Sequence, residues 1–414
     1  MERDAKSAAV VTSDNATVPQ RLHAAVKALD ERHLRRVGYA LPGTRIGVSS
    51  WPPAGRFASK QRLTASWNYW WQAHLIDVLV NAAKLQNDKQ SAKNALRLIR
   101  GVRVRNSGKW TNSYYDDMAW LSMAIERADR HLPALVKSDH KGALATLTST
   151  LYKPWAPDLG GGIPWRTTDY FFNVPANGPA AIFLARRGKT DRAKDMVDWI
   201  YQTMLLPSGL IADGFWRETG DDGQVNKRYI NTVYTYCQGV VFGALLEVYR
   251  ATGDASYVKK IDDLLTAVTD NLTTDGVIHG GGGGDGGLFD GILARNLALI
   301  ATDLPDAAPG TGSAASGPDL PSAADLRKRA GDIVLKSADA CWATRTEVDG
   351  LPLFSADWTQ KATVPSKSAP AAQFVAGAVH SSATPERDMS VQVSAATLLA
   401  AAQAVTDRSP EHNG

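Results

Sequence analysis

The chain has 414 residues, enough for a large core and, by length alone, for two or three domains, although barrels of paired elements reach this size as one. Apolar content is ordinary for a globular protein, and the formal charge of +4 comes from interspersed acids and bases. No basic block stands out, which argues against nucleic acid or an anionic membrane surface as a partner.

Residues 1–17 are polar with scattered charges and read as a disordered arm without the apolar run of a signal peptide. The expectation for the chain as given is a soluble, cytoplasmic monomer; removal of a leader would make it secreted or cell-surface. No window reads as apolar enough to span a bilayer, so no stable membrane insertion is expected. From Val18 to about Val37, apolar residues recur at helical spacing until Gly38 and the Pro42-Gly43 turn. Trp51 lies in the loop that follows and reads as exposed. The run Trp67-Asn68-Tyr69-Trp70-Trp71-Gln72-Ala73-His74 then opens a helix that Leu75, Val78, Leu79 and Ala82 continue. So many polar-tipped groups at one helix end suggest the wall of a carbohydrate cleft, built by Trp67, Asn68, Trp70, Trp71 and Gln72. The alternative is a core helix whose indole N–H groups find local partners. His74 reads as a satisfied core histidine.

A helix over about Lys89–Val102 precedes Tyr114-Tyr115-Asp116-Asp117-Met118-Ala119-Trp120, where two adjacent carboxylates open an apolar helix running to about Ala128. Like charges side by side repel, so one pKa should rise. At a first helical turn the free N–H groups favour one ionised carboxylate while its neighbour keeps a proton. Two carboxyls with split pKa values are what glycoside hydrolysis uses. The ordinary alternative is an acidic first turn that only caps the helix.

A helix over Ala134–Thr148 leads to Gly160-Gly161-Gly162-Ile163-Pro164-Trp165-Arg166. Its glycines would let backbone approach a ligand beside Trp165 and Arg166, or form a plain connection. No phosphate loop is present. Helices follow at Asn173–Arg187 and Asp191–Leu205, and Asp213-Gly214 is a turn whose carboxylate caps the chain or binds a sugar hydroxyl. After a polar stretch come helices at Tyr234–Ala251 and Ala255–Asn271, then a flexible glycine run holding Asp285 at the rim, and a helix from Leu288. A Pro/Ala/Gly/Ser-rich loop over 304–321, a helix to about Cys341, a second loop over 361–385, a helix over Asp388–Val405 and a disordered tail over 406–414 complete the chain. Cys237 and Cys341 read as two reduced thiols, with a disulfide between them the alternative, and no metal-ligand spacing or cofactor motif occurs. About twelve helices with no convincing strand series fit one all-α domain over residues 18–405, an (α/α)6 barrel; an α-solenoid is the competing layout.

The motifs Tyr115-Asp116-Asp117-Met118-Ala119-Trp120, Gly161-Gly162-Ile163-x-Trp165-Arg166, Gly209-Leu210-Ile211-x-Asp213-Gly214, Thr235-Tyr236-x-Gln238-Gly239 and Phe289-x-Gly291-Ile292 occur in this order. Together they resemble glycoside hydrolase family 76, the endo-α-1,6-mannanases. The resemblance implies an (α/α)6 barrel, endo-action on α-1,6-linked mannan, retention of anomeric configuration, Asp116 as nucleophile and Asp117 as general acid/base. It also implies sugar contacts from Tyr115, Trp165, Arg166, Asn173, Asp213, Tyr236 and Gln238, and Asp285 on the glycine-rich rim is expected to add another. The chain departs from the family pattern at Cys237, where Asn is frequent, and at Phe172 and Asp290, where Lys is common. A transglycosidase that remodels α-mannan glycans and an inactive glycan-binding barrel are the alternative functions. An epimerase or lyase would want His or Tyr clustered with the Asp pair.

Overall fold

Two kinds of helix alternate along the chain. In the computed structural model, which describes residues 11–53, 67–221, 223–307 and 321–408, the first kind hides one stripe. Lys89–Arg105 buries Ala92, Ala95, Leu98, Ile99 and Val102, and Ser256–Leu272 buries Tyr257, Ile261, Leu264, Leu265 and Val268. The other kind is buried almost all round, as in Tyr69–Gln86 and Met389–Arg408. A helix with one apolar stripe sits at a surface, whereas one apolar on every side must be enclosed. Alternating the two gives an inner ring wrapped by an outer one.

Among the described residues there are twelve α-helices. The inner ring is α2 (Tyr69–Gln86), α4 (Tyr115–His131), α6 (Val174–Arg186), α8 (Thr235–Thr252), α10 (Phe289–Asp303) and α12 (Met389–Arg408). Each packs on the next, and α12 returns to α2, so the ring closes. Outside it lie α1 (Val18–Arg32), α3 (Lys89–Arg105), α5 (Lys141–Tyr152), α7 (Thr190–Met204), α9 (Ser256–Leu272) and α11 (Ala323–Ala343), each packed on a neighbouring inner helix. This is the (α/α)6 barrel, and its closure excludes a solenoid. The apolar helix α12 is long enough to cross a membrane, contrary to the reading of the sequence, but most of it is buried inside the ring.

Charges are also enclosed. Asp77 sits between the guanidinium groups of Arg127 (2.8 Å) and Arg295 (2.7 Å), and Arg186 bonds Glu247 (2.7 Å). Burial alone would raise the Asp77 carboxyl, but the two cations prevail and hold it at about 2.

Several sequence expectations are corrected. Residues 11–17 are not a free arm: Ala16 is buried, Arg345 bonds Asp14 (2.9 Å) and Trp342 donates its indole N–H to the Ser13 carbonyl. Residues 1–10 and 308–320 lie outside the described residues, as do 409–414 of the expected tail, while Thr406–Arg408 continue α12. The helix expected over Ala134–Thr148 begins at Lys141, because Asp129 takes hydrogen bonds from Ser138 Oγ and the His140 backbone and ring and holds the intervening chain as a loop. Trp51 is half-buried under the guanidinium of Arg32. Cys237 and Cys341 are separate buried thiols.

The main omission was strand. Leu34–Arg35 (β1) pairs with Ile46–Gly47 (β2), and Phe171–Asn173 (β3), Gly214–Thr219 (β4) and Val225–Ile230 (β5) form an antiparallel sheet in the order β3-β4-β5. Gln373–Val375 and Ala378–His380 form a separate hairpin within the stretch expected as loop. The three-stranded sheet and this hairpin border the cavity at one end of the barrel.

Candidate active site

Inner helices α2, α4, α6, α8 and α10 all begin around one cavity of about 350 Å³, so their free N–H ends converge there and favour negative charge. Asp116 and Asp117 stand at the second and third residues of α4, inside this cavity.

The entry to α4 is fixed by the loop that carries Trp165. The Tyr115 N–H bonds the Trp165 carbonyl (2.8 Å), and Thr167 N–H bonds Ser113 (2.9 Å). Asn177 of α6 clamps both backbone groups of Ile163, at 2.8 and 2.9 Å. Trp165 is thereby held with its indole N–H on Asp116 Oδ2 (2.9 Å), while Asp116 Oδ1 accepts the backbone N–H of Asp117 (2.8 Å). Asp117 Oδ2 accepts one bond, from Asn112 Nδ2 (2.5 Å). Burial pushes Asp116 up to about 7, partly offset by its two donors. Asp117 is driven well above the carboxylate range, by burial and then by the charge of Asp116. The pair therefore keeps its proton on Asp117, and Asp116, raised less, is the one that ionises as pH passes about 7.

Asp213 adds a third carboxyl, raised to about 7 by burial and by Asp116, with the Cys237 thiol 3.9 Å away as a weak donor. Asp285 is raised by burial, but both its oxygens are engaged. Oδ1 accepts the indole N–H groups of Trp70 (2.9 Å) and Trp71 (2.8 Å), and Oδ2 the N–H of Val379 (2.7 Å) in the hairpin. It fastens the start of α2 to the roof of the cavity. The floor is aromatic: Tyr236 stacks on Phe289 at 3.9 Å, with Trp70 and Trp120 alongside.

Of the residues expected to contact substrate, Asn68, Trp70, Trp165, Asn173, Asp213, Tyr236 and Asp285 line this cavity together with the Asp pair. The others do not. Trp71 is buried behind Trp70 on Asp285. Trp67 packs on Tyr69 and under Arg105. Gln72 and Gln238 are fully buried and spend their amides on backbone: Gln72 on Gly47 and Trp67, Gln238 on Ile211 and Tyr234. Arg166 pairs with Asp169 (2.7 Å) and covers the rings of Tyr114 and Trp165 from behind. At Tyr115 the expectation was off by one residue, since Tyr114 lines the cavity instead.

The glycines before Trp165 are corrected too. They approach tryptophans, not a ligand: a Cβ on Gly161 (φ +136°) would lie 2.4 Å from Trp155, and one on Gly162 (φ +88°) 2.5 Å from Trp199. His74 is buried beneath the floor as expected, although its Nε2 has no partner among the described residues. The three departures from the family pattern are filled internally. Phe172 stacks on Phe215, Asp290 accepts the Thr235 hydroxyl (2.7 Å), and the Cys237 thiol meets Asp213. Among the described residues no cluster of potential metal ligands occurs.

Sequence reasoning missed Phe171, Tyr234 and Phe374, which also line the cavity. Phe171 and Phe374 belong to the strands it did not find. Tyr234, expected as the first residue of the helix over Tyr234–Ala251, is instead its N-cap residue.

The family model of glycosyl hydrolase family 76 matches residues 43–378. Among solved structures, the GH76A α-1,6-mannanase from Salegentibacter sp. HEL1_6 is 25% identical, with a TM-score of 0.69 over 93% of this chain and 99% of that one. An inactive variant of that mannanase in complex with α-1,6-mannotriose superposes at 0.70, with 24% identity over 94% and 100% of the two chains. Dfg5 from Chaetomium thermophilum, in complex with glucosamine, shares the fold at 14% identity, with a TM-score of 0.67 over 94% and 92%. No curated protein matches. A family match across most of the chain, meeting a closed helical barrel with paired carboxyls at its mouth, makes the protein a member of glycosyl hydrolase family 76.

Proposed function

We propose that the protein is an endo-acting α-1,6-mannanase that retains anomeric configuration, with Asp116 as nucleophile and Asp117 as general acid/base. The observation that carries this is the split proton affinity of two adjacent carboxyls in an aromatic-lined cavity. The α-1,6-mannanase activity of the Salegentibacter enzyme, at 25% identity, supports the linkage.

Asp117, protonated, gives its proton to the glycosidic oxygen as the bond to the anomeric carbon breaks. An oxygen of Asp116 attacks that carbon, and a glycosyl ester forms. The Trp165 N–H and the Asp117 backbone N–H fix the carboxylate orientation, leaving lone pairs free on both oxygens. Asp117, now ionised, takes a proton from water, which cleaves the ester and regenerates the starting state. In this reading Asn68, Asn173 and Asp213 bond sugar hydroxyls, and Trp70, Trp165 and Tyr236 cover the apolar ring faces.

Incubation with linear α-1,6-manno-oligosaccharides of graded length tests the proposal. Shorter oligosaccharides and internal cleavage are expected in the chromatogram. Products longer than the substrate would make the protein a transglycosidase, and unchanged substrate would end the reading.

A further inference from the structure

We propose that the cavity-facing side of the β3-β4-β5 sheet is an outer sugar-binding subsite, with Trp216 as its platform. The inference rests on the mannanase reading above and extends it beyond the cavity.

Side chains two residues apart in a strand share a face, and register partners across strands share it too. Phe171 and Asn173 of β3 both line the catalytic cavity, so they define the cavity side. Phe171 pairs with Trp216 of β4, which pairs with Arg228 of β5. Trp216 and Arg228 therefore continue the same face away from the cavity. The opposite face holds Phe172 and Phe215, stacked on each other and packed toward Trp199, so the sheet has one core side and one open side.

The open side carries a row of aromatic rings. Trp165, on Asp116, meets Phe171 edge-on at 6.1 Å, and Phe171 meets Trp216 at 5.0 Å. Trp216 is half-buried, and beyond it the Arg228–Glu218 ion pair is 55% and 51% exposed, so polar groups stand where the row reaches solvent. Neighbouring strands are about 4.8 Å apart, close to the length of one pyranose unit. Moving outward by one strand thus moves by about one sugar. An apolar ring face followed by a polar edge is the pattern that a mannosyl unit presents: one face for stacking, hydroxyls for Arg228 and Glu218.

The subsite should matter only for chains long enough to reach it. The test compares wild type, Trp216→Ala, Trp216→Phe and Arg228→Ala on linear α-1,6-manno-oligosaccharides of increasing length. In Trp216→Ala, kcat/KM on the shortest cleaved oligosaccharide should stay within about twofold of wild type, and on the longest it should fall about tenfold, through KM, the factor carried by ~1.4 kcal/mol of binding. Trp216→Phe should recover most of the loss, and Arg228→Ala should lose about threefold on long chains alone. Equal losses at all lengths, or none, would overturn the subsite while leaving the mannanase reading intact. Should Trp216→Ala lose its helical circular dichroism, the exposed Arg228→Ala decides, and absence of a length-dependent loss there overturns the subsite. Wild-type protein that cleaves none of the series refutes the mannanase reading and the subsite with it.

Discussion

Replacing Asp116 by Asn separates a carboxyl kept for chemistry from one kept for folding. Its pKa is raised from 3.8 in an unfolded chain to about 7 in the folded protein. A raised carboxyl contributes stability in full below pH 3.8, and that contribution is lost as pH rises through 7. Between pH 5 and pH 8 the loss covers about 2 pKa units, or ~2.7 kcal/mol at 1.36 kcal/mol per unit. Asn does not titrate, so the variant escapes this loss. Burial, the largest of the causes that raise Asp117, acts in both proteins. Hydrogen bonds altered by the amide cancel in the comparison between pH values. With an unfolding entropy of ~2.1 cal/mol/K per residue over 414 residues, the gain corresponds to about 3 °C in Tm. Thermal melts of wild type and Asp116→Asn at pH 5 and pH 8 measure it: the difference in Tm should shift toward the variant by that amount at pH 8. A variant that melts lower by the same margin at both pH values would mark Asp116 as a structural first-turn cap and refute the reasoning.

Three other perturbations follow. Asp117→Asn should lose 10²–10⁴-fold on substrates with poor leaving groups, as removal of a general acid does, and far less on aryl mannosides whose leaving group needs no proton; equal losses on both classes would contradict the role. Trp165→Phe removes the N–H on Asp116, so the acid limb of the kcat/KM profile should move up by about one pH unit, the scale of one hydrogen bond to a charged group; an unmoved limb would show that the indole does not set this ionisation. Asp77→Asn leaves two buried guanidinium groups short of an anion and should cost ~3–5 kcal/mol in urea unfolding at pH 7. Because Asp77 is held at about 2, its contribution is present above pH 3.8 and lost as pH falls through 2, so the cost should shrink toward acid.

The barrel was legible because its signal is local. Helical periodicity marks element after element, and in the structure the side chains of Asp88 before α3 and Ser322 before α11 accept the first-turn N–H groups of Gln90 and Asp325. The sheet was not legible for the same reason. Phe171–Asn173 is only three residues long, and its partner Gly214–Thr219 is 41 positions away and ends in exposed polar residues. Pairing across such a distance leaves no periodic trace. In the site, the sequence marked the dense polar and aromatic helix starts but not which way each side chain turns. Trp70 and Trp71 are neighbours with one shared acceptor, yet only Trp70 reaches the cavity. Gln72 and Gln238 carry sugar-binding chemistry by type, and backbone groups brought close by the fold use all of it.

The stereochemistry of the first product tests the central claim most directly. Proton NMR of wild-type protein acting on a linear α-1,6-manno-oligosaccharide, read before mutarotation, should show new reducing ends as the α-anomer, and Asp116→Asn should produce none. New ends appearing first as the β-anomer, or undiminished cleavage by folded Asp116→Asn, would contradict an Asp116 glycosyl ester.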